Sequence, residues 1–186
     1  MSTGLIAAIA AAALVLAVLL WLLLLRRRRS STLRSALAAI AVEHIEDVVV
    51  PDGIDGEIHI EHLLLTARGV LVLNVKFYEG VIFAGDRMEQ WTVIGPGGRS
   101  TFNNPLPSLY DRVAAVRQLI RDVNVTGYVV FPSSADFTKG RPADVMLPED
   151  LQGAYAKPDK AELGRVTEAF APHWELIRRA ARPASF

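Results

Sequence analysis

The chain opens with 22 consecutive apolar or small residues, Gly4 to Leu25, and Arg26, Arg27, Arg28 and Arg29 follow without a break. As a helix this run measures roughly 33 Å, close to the ~30 Å hydrocarbon core of a bilayer. A cleaved leader needs a basic start, a shorter apolar stretch and a small-residue cleavage site. Here no Lys or Arg precedes the run, and bulky Leu22 to Leu25 lead straight into the arginines. The pattern therefore predicts a single transmembrane helix, with Trp21 near one interface. Residues 4–29 would contact lipid, the arginines meeting anionic headgroups. Basic residues stay on the cytoplasmic side, so the short N-terminus faces out. The expected organisation is an anchor with a basic stop over residues 1–29 and a cytoplasmic domain over residues 30–186, at the cell membrane.

Beyond the arginines the pattern predicts a helix from Leu33 to about Asp47, with Leu33, Leu37, Ile40 and His44 on one stripe. A short strand, Val48 to Val50, stops at Pro51, and Asp52 to Gly56 is rich in turn residues. Two strands follow, about Glu57 to Thr66 and Val70 to Lys76. Ala67-Arg68-Gly69 between them makes an antiparallel hairpin. Val81 to Phe83 and Gln90 to Ile94 read as further strands, closed by Gly95-Pro96-Gly97-Gly98. A helix from about Ser108 to Asp122, a buried strand from Thr126 to Phe131 and a short strand near Asp144 to Leu147 come next. A last helix is capped by Asp159 with Glu162 and kinked or split at Pro172. This order gives an α/β fold with a mixed central sheet flanked by helices.

Charge alters the picture of the soluble part. Lys plus Arg and Asp plus Glu are 20 each, but four of the basic residues are the juxtamembrane arginines. Removing them leaves 16 against 20 from residue 30 onward, a net-acidic domain. Such a domain is poorly suited to non-specific nucleic-acid binding, although a local basic cleft is compatible with it. The chain has no cysteine, which excludes disulfides, Cys-ligated zinc and thiol chemistry.

Period-2 alternation sorts the hairpin side chains. Glu57, His59, Glu61, Leu63 and Leu65 share one face of the first strand. Val70, Val72, Asn74 and Lys76 share one face of the second. If Thr66 pairs with Gly69, Glu61 lies across from Asn74 and His59 from Lys76. A two-residue slip would instead set Glu61 against Lys76. Either register gathers polar groups at the end of the hairpin far from its turn. His59 and His62, three apart on a strand, face opposite ways and make a poor zinc pair. Phe77, Tyr78 and Trp91 suit either base stacking or core packing.

His59-Ile60-Glu61-His62-Leu63-Leu64-Leu65 and Gly69-Val70-Leu71-Val72-Leu73-Asn74-Val75-Lys76 together resemble the core motif of the NERD (nuclease-related domain) family. That family belongs to the PD-(D/E)XK nuclease-like superfamily. Phe77-Tyr78-Glu79-Gly80 with Trp91, Asn104-Pro105-Leu106 before a helix, and Tyr128-Val129-Val130-Phe131 resemble the flanking segments of the family. The resemblance spans about Glu43 to Met146. It implies a restriction-endonuclease-like three-layer core and a metal-dependent phosphodiesterase acting on DNA or RNA. By the same resemblance Glu61 is a ligand for Mg²⁺ or Mn²⁺, Asn74 stands at the second ligand position, Lys76 is the catalytic lysine and Glu43 is an outer ligand. The sequence departs from the motif where Glu61 replaces Asp, and more seriously where Asn74 replaces Glu, because magnesium depends on charged oxygen ligands. Three outcomes are open. Another carboxylate (Glu57, Glu79 or Glu43) substitutes, the metal binds weakly, or the site is silent and the domain is a binding module or scaffold for a membrane protein partner.

Overall fold

The computed structural model describes residues 32–156 and 159–184, together with Leu14, Leu16 and Val18. The chain divides into two units, Met1–Ser35 and Ala36–Phe186. In the first, Leu14, Leu16, Val18 and residues 32–35 are helical, and the Ser35 hydroxyl donates to the Thr32 carbonyl. Among the described residues no helix is long and apolar enough to cross a membrane. The expected anchor over residues 4–29 lies outside the described residues apart from the three named.

The second unit begins with helical residues 36–40 (α1), whose Ala36, Leu37 and Ile40 are buried. The helix stops there and does not continue to Asp47. Residues Glu43–Pro51 form strand β1, because their backbone pairs antiparallel with Glu57–Thr66 (β2) from Glu43↔Leu65 to Pro51↔Glu57. Glu43, expected on a helix, is therefore a strand residue. A helical stripe that ran on into His44 gave way to sheet pairing with a more apolar partner strand.

β2 turns at residues 67–68 into Gly69–Val75 (β3), all of it buried, with Thr66 opposite Gly69. This is the first of the two registers left open by the alternation. After Gly80–Phe83 (β4), Gln90–Gly95 (β5) and Gly98–Asn103 (β6), helix α2 spans Leu106–Leu119. Val125–Val130 (β7) then lies parallel to β3, so α2 sits within a β–α–β crossover. Ala135–Asp136 (β8) and Val145–Met146 (β9) are two residues each. Pro148–Ala154 (α3), Lys160–Ala180 (α4) and Arg182–Pro183 (β10) complete the chain. Asp159 caps α4 through the amides of Ala161 and Glu162, and α4 runs unbroken through Pro172 rather than splitting there.

The strands form two sheets, not one. The larger has the order β10-β1-β2-β3-β7-β9 and mixes parallel with antiparallel pairs, and the smaller has the order β6-β5-β4-β8. Gly127, Val72 and Leu63 fall in one row across the larger sheet. A Cβ on Gly127 would come 2.4 Å from Val113 Cγ2 of α2, so this glycine is what lets the helix lie close on that face. On the other face Thr126 and Tyr128 meet Tyr155, at the end of α3. The larger sheet thus carries helices on both faces, an α/β arrangement. Leu63, Leu65, Val70, Val72, Leu109, Val116 and Trp174 are among the residues that fill the core on the α2 side. In the smaller sheet Gly80 has φ +98°, and a Cβ there would strike the Ile94 carbonyl at 2.3 Å.

Candidate functional site

The polar end of the hairpin is held by backbone pairing, and its side chains converge there. Glu61 and Asn74 continue the β2–β3 register one step beyond His62↔Leu73. Asn74 Nδ2 donates to Glu61 Oε1 at 2.8 Å, and the Val75 amide donates to Glu61 Oε2 at 2.6 Å. Lys76 Nζ lies 4.0 Å from Glu61 Oε1. The Lys76 amide donates to the Val130 carbonyl, which ties the end of β3 to β7 and fixes where the lysine leaves the sheet. Asn74 is 1% exposed, while Glu61 and Lys76 keep about a quarter to a third of their side chains in solvent (28% and 30%). Three of the expected site residues are therefore in one place.

Glu43 is not with them. It pairs with Leu65, four positions along β2 from Glu61, or roughly 13 Å at strand rise. Its Oε2 accepts from Trp174 Nε1 at 2.8 Å and from Arg178 at 3.2 Å. The other two candidate substitutes are also engaged: Glu57 pairs with Arg182, and Glu79 accepts from the Ser134 hydroxyl at 2.8 Å. His59, expected beside Lys76, has its Nε2 2.6 Å from Asp47 Oδ1 on β1, and its carbonyl accepts from Arg112.

The flanking segments do structural work. Asn104 Oδ1 accepts from the Leu106 amide at the start of α2, and its Nδ2 donates to the Asp86 and Met88 carbonyls. Trp91 is fully buried and Tyr78 stacks on Phe102 at 3.9 Å between ring centres, so both are packing residues. Phe77, next to Lys76, is 68% exposed.

The donor set decides what the site can hold. Glu61 supplies one negative charge and Lys76 one positive charge beside it. Asn74 Oδ1 is buried and has no hydrogen-bond partner, so one neutral oxygen is free to face a cation. One carboxylate, already accepting two hydrogen bonds and sitting against an ammonium, is a poor set for Mg²⁺, which dehydrates reluctantly and relies on anionic oxygens. The residues do not fit a tightly resident magnesium ion.

A family model for the nuclease-related domain matches residues 31–132, more than half of the chain. The chain belongs to the nuclease-related domain family. The matched span of this NERD chain contains Glu61, Asn74 and Lys76 and runs just past β7. An uncharacterized protein of Bacillus anthracis is 33% identical over 61 residues, covering 33% of this chain and 29% of that relative. The chain thus aligns with less than a third of the relative's length. No solved structure matches.

A second cluster was not foreseen. His44 Nε2 and His62 Nδ1 lie 3.2 Å apart, and Glu46 Oε1 is 3.6 Å from His44 Nδ1. Burial holds both imidazoles below the ordinary histidine range, and for His62 the neighbouring His44 adds to the effect. The partner of His62 lies 18 residues upstream, and the only signal for it is the β1–β2 register.

Proposed function

We propose that this chain is a membrane-anchored nuclease-like module that binds nucleic acid at the cytoplasmic face and does not cleave it. The single observation carrying this reading is the Asn74 amide donating to Glu61 where the family motif has a second carboxylate. A hydrogen bond replaces the charge repulsion that a metal would relieve, so the site is stable without an ion. Residues 1–29 would supply the anchor, and residues 30–186 a restriction-endonuclease-like cytoplasmic core. Lys76 offers a cation for a phosphate and exposed Phe77 an aromatic face for a base.

The buried, unpartnered Asn74 Oδ1 favours a second reading, in which Mg²⁺ or Mn²⁺ binds weakly and phosphodiester cleavage is slow. One experiment separates the two. The full chain in detergent is incubated with labelled DNA and RNA oligonucleotides and either metal, alongside Glu61→Ala, Asn74→Glu and Lys76→Ala. The first reading expects no metal-dependent cleavage by the wild-type chain. It also expects binding that weakens severalfold in Lys76→Ala, with the salt slope falling by about 1. Cleavage by the wild-type chain that is lost in Glu61→Ala establishes the second. No binding to either oligonucleotide overturns the first and leaves a scaffold for a membrane protein partner.

A further inference from the structure

Behind Glu61, on the other face of the larger sheet, β1 and β2 carry an imidazole pair and a carboxylate that the nuclease-like site does not use. Register places His44 opposite Leu64 and Glu46 opposite His62, so the three side chains alternate onto one face. One donor atom from each of the three lies within 4.8 Å of the others. Two nitrogens bound to one tetrahedral zinc at about 2.0–2.1 Å stand roughly 3.3 Å apart. The observed 3.2 Å between His44 Nε2 and His62 Nδ1 is close to that spacing. The ring centres are 5.2 Å apart with the planes tilted by 42°. The Glu46 carboxylate lies 3.6 Å from His44 Nδ1, the ring nitrogen away from His62, and its side chain is 56% exposed, so it would turn from there onto an ion.

We propose that His44, Glu46 and His62 form a site for a divalent transition metal of the zinc class, with three protein ligands and a fourth position open to solvent. Two imidazoles and one carboxylate are a borderline donor set that suits Zn²⁺, Co²⁺ or Ni²⁺ and disfavours Mg²⁺. Burial disfavours the charged form of both rings. In the metal-free state one ring must donate to the other, and an ion replaces that hydrogen bond with two stronger bonds. The bound ion would tie β1 to β2 at the residue next to Glu61.

The test uses the full chain in detergent, stripped with chelator and titrated with Zn²⁺ against a chromogenic competitor and, separately, with Co²⁺ followed by its visible absorption. The expected result is one equivalent bound at micromolar affinity or better, with a Co²⁺ spectrum of low coordination number. His44→Gln and His62→Gln should each weaken binding by more than about 100-fold, beyond the loss expected of an outer partner. Glu61→Gln should bind as the wild-type chain does, which separates this site from the nuclease-like one. Should a histidine variant fail to fold, exposed Glu46→Gln carries the test, with Zn²⁺ expected to raise the melting temperature of the wild-type chain far more than that of the variant. Absence of stoichiometric binding, equal binding in all variants, or loss in Glu61→Gln alone overturns the proposal.

Discussion

At the scale of single residues, Asn74 carries the most information. Its amide satisfies Glu61 from a position that is 1% exposed, so the pair is neutral plus anion where the motif has two anions. Asn74→Asp keeps the volume, removes the donor and sets a second carboxylate against Glu61. Without metal it should cost about 3 kcal/mol in urea unfolding at neutral pH. Millimolar Mg²⁺ should restore much of the loss in the variant and change the wild-type chain little. Equal stability of the two proteins without metal would show that the Asn74–Glu61 contact does not set the charge balance of the site. The meeting of Glu61, Asn74 and Lys76 was legible in the sequence, because alternation and a tight turn confine the hairpin to two registers. The place of Glu43 was not: its carboxylate is captured by Trp174 and Arg178, more than 130 residues away along the chain. The pairing of His44 with His62 was hidden because the helical stripe of the sequence placed His44 on a helix and not on strand β1. Alternation says which face a strand residue takes and nothing about which strand lies alongside.

At the scale of elements, the seating of α2 on the sheet is the contact most open to test. Gly127→Ala places a methyl group against Val113 and Leu109, and overpacking of this kind costs about 1–3 kcal/mol. The measurement is a shift in the denaturant midpoint with an unchanged slope. Two tyrosines report on the elements around β7. The Tyr110 hydroxyl donates to Asp144 Oδ2 at 2.8 Å, and that bond pushes its pKa up to about 12. Burial, with Tyr155 alongside, pushes Tyr128 up to about 12 as well. Folding therefore holds two protons that the unfolded chain releases near pH 10. Their stabilising contribution is fully present below pH 10 and is lost as pH rises through about 12. Absorbance titration should show Tyr110 and Tyr128 ionising late, and Tyr110→Phe and Tyr128→Phe should each reduce the late-ionising signal. Simultaneous ionisation of all four tyrosines near pH 10 would refute this. The strands β2, β3, β4, β5 and β7 were readable because each buries apolar residues in runs or alternation. β6 was not, since Gly98–Asn103 is almost wholly exposed and polar and owes its conformation to pairing with β5. The two-sheet arrangement was hidden because β4 pairs with β5 and β8 and not with the larger sheet, and alternation does not say which strands pair.

At the scale of the whole molecule, the proposed function depends on where the NERD domain is held. Gly4 to Leu25 followed by four arginines predicts an integral membrane protein with residues 30–186 in the cytoplasm. Replacing Arg26–Arg29 with glutamine should scramble that orientation. Protease protection of intact and opened spheroplasts would then show a mixed population in place of a uniform one. An unaltered, uniformly protected domain would mean that the arginines do not set topology.

The outer borders of the larger sheet have a consequence for a chain held at the proposed membrane surface. Each border is a strand of only two residues, β10 with Pro183 on one side and β9 on the other. Strands this short offer a neighbouring chain few amides and carbonyls of their own, and Pro183 removes one donor from β10, although β10 pairs β1 only at Val48 and Val49 and β9 pairs β7 only at Val129 and Val130. The six-residue β6 border of the smaller sheet is long enough for that and is dressed in Arg99, Ser100 and Thr101. Copies confined to two dimensions meet far more often than copies in solution. With the proposed anchor in a membrane, copies would meet with the six-residue polar β6 margin exposed, on the sheet that does not carry Glu61, Asn74 and Lys76.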